Sequence, residues 1–137
     1  MRLFIDTSAF IAIENTDDEN HNLALEYREK IRRGETPFIR LYTSNYILDE
    51  SLTLLRVKCG HEVAASFRET IEASKLINIL WIDEATEKNA WEIFRKNKDK
   101  DFSFTDCTSF ALMKREAIRT AFTFDKHFSQ YGLEAVP

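Results

Sequence analysis

The sequence predicts an α/β fold, a three-layer α/β/α sandwich around a central, mostly parallel sheet. Two observations predict it. Short apolar runs that read as buried strands alternate along the chain with longer stretches whose apolar residues recur at helical spacing, the order produced by parallel strands joined through crossovers. The 137 residues, 44% hydrophobic and 31% charged with only three glycines and two prolines, suit one domain over residues 1–137 with a sizeable core.

Each element has its own signal. "RLFID" (2–6) is an apolar run ending in an acid, the pattern of a buried strand with Asp6 at its carboxyl edge, and "TSAFIAIEN" continues as a first helix. Residues 17–33 carry Leu23, Ala24, Tyr27 and Ile31 at helical spacing, with Gly34 as a stop. "PFIRLYTS" (37–44) reads as a second strand. A helix follows from Ser44 to Arg56, with Tyr46, Ile47, Leu54 and Leu55 apolar, and another over 61–74 after the Cys59-Gly60 break. "LINILWID" (76–83) is the third strand. An amphipathic helix built on Ala85, Ala90, Trp91 and Phe94 comes next, its basic end suiting the helix dipole. "FTDCTSFALMKREA" is a helix capped near Ser103 or Thr105, "IRTAFTF" (118–124) a fourth strand and "GLEAVP" a brief last one.

Composition excludes several classes. The apolar start carries Asp6 in its middle, so it is neither a signal peptide nor a membrane span, and a cytoplasmic location is expected. Cys59 and Cys107 lack metal-ligand spacing and read as free thiols. A net charge of -4 argues against a broad grip on nucleic acid, and the basic runs at 28–34 and 94–100 read as solvated helix faces.

Carboxylates mark the junctions between elements. Active sites in parallel sheets lie at the carboxyl ends of strands. Asp6 and Asp125 follow strands directly, while Glu50 and Asp106 sit near the starts of helices that reach the same edge. Asp6, Asp125 and Asp106 also read as helix-end residues, and Glu50 lies near an apolar face where a carboxylate wants a partner. Two like charges about 5 Å apart at an effective dielectric near 20 repel by roughly 3 kcal/mol, so four close acids must gain protons or hold a cation. Mg²⁺ or Mn²⁺ suits oxygen ligands, and such a site suits phosphodiester hydrolysis. Hydroxyls flank the acids: Thr7 and Ser8, Ser103 and Thr105, and Thr123. Asp49 should point away from Glu50, Asp83 reads as a cap, and Asp101 has no evident place. His21, His61 and His127 show no ligand spacing, and His127 reads as pinning the "FDKHF" turn. The phenylalanines from 102 to 128 read as core packing.

"FIDTSAF", "TSNYILDESLTLLR", "FSFTDCTSFALM" and "AFTFDKHFSQYGL", in that order, resemble the PIN-domain family, in particular the VapC-type ribonuclease toxins of VapBC toxin–antitoxin pairs. The resemblance spans essentially the whole chain. It implies a Mg²⁺- or Mn²⁺-dependent endoribonuclease acting on single-stranded RNA, with catalytic and metal-binding residues Asp6, Glu50, Asp106 and Asp125. Asp6 and Asp106 would be the direct ligands, with Thr7, Ser103 and Thr123 in support. It also implies a homodimer, expected to use the apolar faces of the first helices, and raises a cognate antitoxin. Adjacent acids after the first strand, which a phosphoacceptor domain wants, are absent, and Ser8 stands where a haloacid dehalogenase-type phosphatase wants a second acid. A PIN-like RNA- or protein-binding module without turnover is the alternative reading.

Overall fold

The computed structural model describes residues 1–137. The elements in chain order are β1 (Arg2–Ile5), α1 (Thr7–Glu14), α2 (His21–Arg32), β2 (Arg40–Ser44), α3 (Asn45–Cys59), α4 (His61–Ala73), β3 (Ile77–Leu80), α5 (Glu84–Lys96), α6 (Phe104–Glu116), β4 (Thr120–Phe122), α7 (His127–Tyr131) and β5 (Glu134–Val136). The sheet runs β3-β2-β1-β4-β5 with every pairing parallel. Right-handed crossovers from β1 to β2 and on to β3 place α1 to α4 on one face. The connections through β4 to β5 run the opposite way and place α5 to α7 on the other. The reversal falls between β1 and β4, so a crevice opens at their carboxyl ends.

The central strands are apolar without alternation because helices cover both their faces: Leu3, Phe4 and Ile5 of β1 and Ala121 and Phe122 of β4 are all buried. Helix α6 is buried without a break from Asp106 to Met113, since it packs against α5 and touches α3. A helix enclosed in this way carries Asp106 inward with it. On the other face Ser44, the last residue of β2, caps α3 by accepting a hydrogen bond from the Ile47 backbone N–H at 3.1 Å. Glu50 is thereby placed in the second turn above the strand ends.

The structure differs from the sequence reading at several boundaries. β2 begins at Arg40 rather than 37, β3 spans only Ile77–Leu80 and β4 only Thr120–Phe122, because only those residues find a ladder partner. Residues 17–20 form turns before α2, α3 runs on to Cys59 where Gly60 takes φ 94°, and "HFSQY", for which the sequence predicts no element, forms a short helix. The apolar face of α5 is also different. Thr86 and Ala90 are buried, whereas Ala85 is exposed and Trp91 and Phe94 are 53% and 40% exposed, stacked on each other at 6.0 Å. Two apolar stripes compete on that helix, and α6 selects the one with smaller side chains. Both cysteines are free, and no helix is long and apolar enough to cross a membrane.

Gly60 combines φ 94° with ψ 166°, a region essentially closed to residues with a Cβ. Gly60→Ala is expected to lower stability by about 1–3 kcal/mol, although nothing lies within 4 Å of the added methyl. Urea denaturation checks this; an unchanged midpoint would mean that the α3–α4 junction relaxes freely.

Candidate active site

Asp6 is the first residue beyond β1, and its backbone N–H donates to the Phe122 carbonyl at 3.1 Å, extending the β1–β4 ladder by one step. It is also the N-cap of α1. The Ser8 and Thr123 hydroxyls donate to its Oδ2 at 2.8 and 2.9 Å. Both are themselves fed from the loop after β4: Ser8 Oγ accepts the Phe124 N–H at 2.9 Å and Thr123 Oγ1 accepts the Asp125 N–H at 3.0 Å. Two relays of backbone amide, hydroxyl and carboxylate thus end on one oxygen of a carboxyl group that is only 3% exposed.

Asp106 forms a capping box with Ser103. The Asp106 N–H donates to Ser103 Oγ at 3.0 Å, and the Ser103 N–H returns a bond to Asp106 Oδ2 at 3.0 Å. The His127 ring joins this acid to Asp125, its Nδ1 standing 2.8 Å from Asp106 Oδ2 and 3.1 Å from Asp125 Oδ1. Glu50 approaches from α3, half-buried, one turn before Leu54. The four acids line one open pocket of about 480 Å³ together with Thr7, Ser8, Ser103 and His127.

Burial dominates the electrostatics. It raises the Asp6 carboxyl from 3.8 to about 7, aided by the charges of Asp106 and Asp125 and opposed by the Ser8 and Thr123 hydroxyls. Asp106 is also raised, by burial and by Asp125, against the Ser103 backbone and His127. Glu50 rises through burial and through the charges of Asp106 and Asp125, against nearby threonine hydroxyls. Three acids held above their ordinary range in one pocket are a set that gains by holding a cation.

All four acids singled out in the sequence meet here, and so do Thr7, Ser103 and Thr123, though in different ways. Thr123 bonds a carboxylate and Ser103 caps the helix of one, while the buried Thr7 hydroxyl makes no close hydrogen bond and has the Glu50 carboxyl as its polar neighbour. Asp49 and Asp101 are exposed, and Asp83 caps α5 through Thr86. Ser8, which the sequence places beside Asp6 but the resemblance does not include among its supports, is the hub between two loops. Asp18, Asn20 and Lys58 line the rim with nothing in their local sequence to mark them. His127 was read as pinning its turn, which it does by donating its backbone N–H to Asp125 at 2.9 Å, but its ring also reaches Asp106, 21 positions away.

A parallel sheet with converging carboxylates at its switch point defines a class of α/β proteins with an acidic pocket suited to a divalent ion. The particular family follows from comparison: the PIN domain model matches residues 3–133, and the chain belongs to the PIN-domain family. It is 33% identical over 134 residues to the 23S rRNA-specific endonuclease VapC20 of Mycobacterium tuberculosis, covering 98% of this chain and 97% of that one. It is 31% identical over 130 residues to a VapC ribonuclease of Archaeoglobus fulgidus, covering 94% and 80%. The crystal structure of VapC20, described as a sarcin-ricin loop cleaving toxin, superposes with a TM-score of 0.85 over 96% of this chain and 95% of that one, at 32% identity. FitAcB of Neisseria gonorrhoeae shares the fold at a TM-score of 0.70 and 17% identity, covering 100% and 97%.

The raised Asp6 carboxyl makes stability depend on pH with a definite sign. Between about pH 4 and 7 the folded chain holds a proton there that the unfolded chain releases, so stability falls as pH rises through that window. At about 1.4 kcal/mol per unit the loss approaches 4 kcal/mol. Denaturant melts in EDTA should show a shallower slope in Asp6→Asn, with Asp106 and Glu50 keeping their part of it; parallel curves for mutant and wild type would refute the assignment.

Proposed function

We propose that the protein is a divalent-metal-dependent endoribonuclease that cuts single-stranded RNA, acting as the toxin of a toxin–antitoxin pair. One observation carries this reading: Asp6, Glu50, Asp106 and Asp125 line a single pocket at the switch point of the sheet, and three of them are raised in pKa. The ribonuclease names of VapC20 and of the Archaeoglobus fulgidus relative support it.

The donor set fits a hard divalent ion. It is rich in carboxylate oxygens, it suffers mutual repulsion, and it includes a buried hydroxyl, that of Thr7, which makes no close hydrogen bond. Asp6 and Asp106 would hold the ion, with Glu50 and Asp125 completing the site. The ion supplies the charge that activates water for in-line attack and offsets the charge growing on phosphate and leaving oxygen. The chain provides placement. Ser8 and Thr123 fix the rotamer of Asp6, Ser103 fixes that of Asp106, and His127 ties Asp125 to it. Lys58 on the pocket rim offers a cation to an RNA phosphate, with Leu54 beside it as an apolar wall.

A toxin needs a partner that holds it silent, and the apolar groove between α1, α2, α4 and the sheet suits a protein segment. Phe10, Ile13, Ile31, Phe67 and Ile71 line it, with Arg28 and Arg32 at its rim. A homodimer in the cytoplasm completes this reading. The first helices offer little for the dimer, since the one large exposed apolar residue on α1 or α2 is Leu23; Trp81, Trp91 and Phe94 are better placed to cover each other between two copies.

Cleavage of a mixed single-stranded RNA and DNA panel with Mn²⁺, with Mg²⁺ and with EDTA tests the activity. RNA cleavage is expected with either ion and not in EDTA, and Asp106→Asn should lower it at least about 100-fold, or about 2.7 kcal/mol of barrier. The asparagine still accepts the Ser103 N–H, so the fold should survive. Folded, metal-loaded protein that cleaves nothing would favour the binding-module reading. Metal should also raise the melting temperature, with about 2.7 kcal/mol added at 100-fold excess over Kd; no shift at millimolar metal would count against a preformed site. Sedimentation across concentrations decides the dimer, a strict monomer removing it.

A further inference from the structure

His127 lies outside the acids that the family resemblance assigns, yet its ring occupies the centre of the cluster. Its Nδ1 stands 2.8 Å from Asp106 Oδ2 and 3.1 Å from Asp125 Oδ1, and one ligand atom from each of the three residues falls within 4.8 Å of the others. The ring is held there from two sides. The His127 backbone N–H bonds Asp125 at 2.9 Å, and the ring packs edge-on against Phe102 at 5.5 Å and 75°. A separate observation concerns the same pocket: the Thr7 hydroxyl, on a residue 4% exposed, makes no close hydrogen bond and has the Glu50 carboxyl as its polar neighbour.

Two roles fit an imidazole between carboxylates. As a clamp it donates a hydrogen bond from Nδ1 to them and only orients them. As a metal ligand it would release that proton to solvent and present the freed Nδ1 lone pair at the point where the two acids converge. The second role has a chemical consequence. Mg²⁺ takes oxygen ligands and tolerates little departure from them, whereas first-row transition ions accept imidazole nitrogen beside carboxylates.

We propose that His127 is a further, nitrogen ligand to the ion of this pocket, on the side where Asp106 meets Asp125, and that it gives the site a preference for Mn²⁺ over Mg²⁺. The proposal rests on the metal-dependent reading above and deepens it. His127 is carried by the turn that presents Asp125, so one short segment delivers an oxygen and a nitrogen donor together, while Phe102 limits how far the ring can swing away. An isosteric residue without a lone pair would keep the packing and lose the selectivity.

The test uses the full-length protein stripped of metal and reloaded. Electron spin echo modulation of bound Mn²⁺ should show coupling to imidazole ¹⁴N in the wild type and none in His127→Ala. This reading of the unmutated protein needs no variant to fold. Calorimetric titration should show Mn²⁺ affinity falling at least about 10-fold in His127→Ala while Mg²⁺ affinity stays within roughly threefold, and His127→Phe, which keeps a ring but has no lone pair, should behave as the alanine variant does. Bound Mn²⁺ without nitrogen coupling, or an unchanged Mn²⁺ to Mg²⁺ ratio in a folded variant, overturns the proposal and leaves the metal-dependent nuclease standing. Wild-type protein that binds neither ion overturns both.

Discussion

The pairing of β1 with β4 is the constraint on which the rest of this structure depends. Only two residue pairs define it, Phe4 with Ala121 and Ile5 with Phe122, and the Asp6 N–H extends it to the Phe122 carbonyl. Those contacts join the first six residues of the chain to a segment more than a hundred positions later. They also set the reversal in strand order, since every connection on one side of the pair runs away from every connection on the other. The crevice that results is a consequence of topology. Whatever side chains leave β1 and β4 at their carboxyl ends must face each other across it.

The residues there satisfy local structural needs and leave a surplus of negative charge. Asp6 caps α1, Asp106 closes the capping box of α6, and Asp125 accepts the first free N–H of α7. Each of these jobs would be filled as well by serine or asparagine at about the same stability. Choosing carboxylates at every position instead raises the burial cost, visible in the upward pKa shifts of Asp6, Asp106 and Glu50. Hydroxyl relays through Ser8 and Thr123 recover part of it for Asp6, and the His127 ring does so for Asp106 and Asp125. What the hydrogen bonds leave unbalanced is a local field that a small cation would neutralise. The capping bonds occupy one oxygen of each of these three carboxyl groups, Oδ2 of Asp6 and Asp106 and Oδ1 of Asp125, so the capping role leaves the negative charge of the pocket in place.

Much of this was legible in order of appearance along the chain. The alternation of strand and helix patterns, the acids at their junctions and the four motifs shared with PIN domains are all local features, readable because each depends on residues within a turn or two. The features that escaped are those decided by a distant neighbour. Trp91 and Phe94 read as the packed side of α5 until α6 took Thr86 and Ala90 instead. Strand ends read too long because an extended apolar run does not say where its partner stops. Lys58 gained its place at the pocket rim from the length of α3, which no local pattern records.

The sequence by itself determined the α/β class, the helical and extended periods and the identity of the four acids, since burial pattern, capping chemistry and motif order act over short range. Only the tertiary structure decided how those acids share the pocket. The convergence of Asp6 with Thr123 and of Asp106 with His127 follows from strand order and helix packing, and the pKa of each acid follows from the burial and neighbouring charge that this packing creates. Spacing in the chain carries no information about distances closed by a sheet.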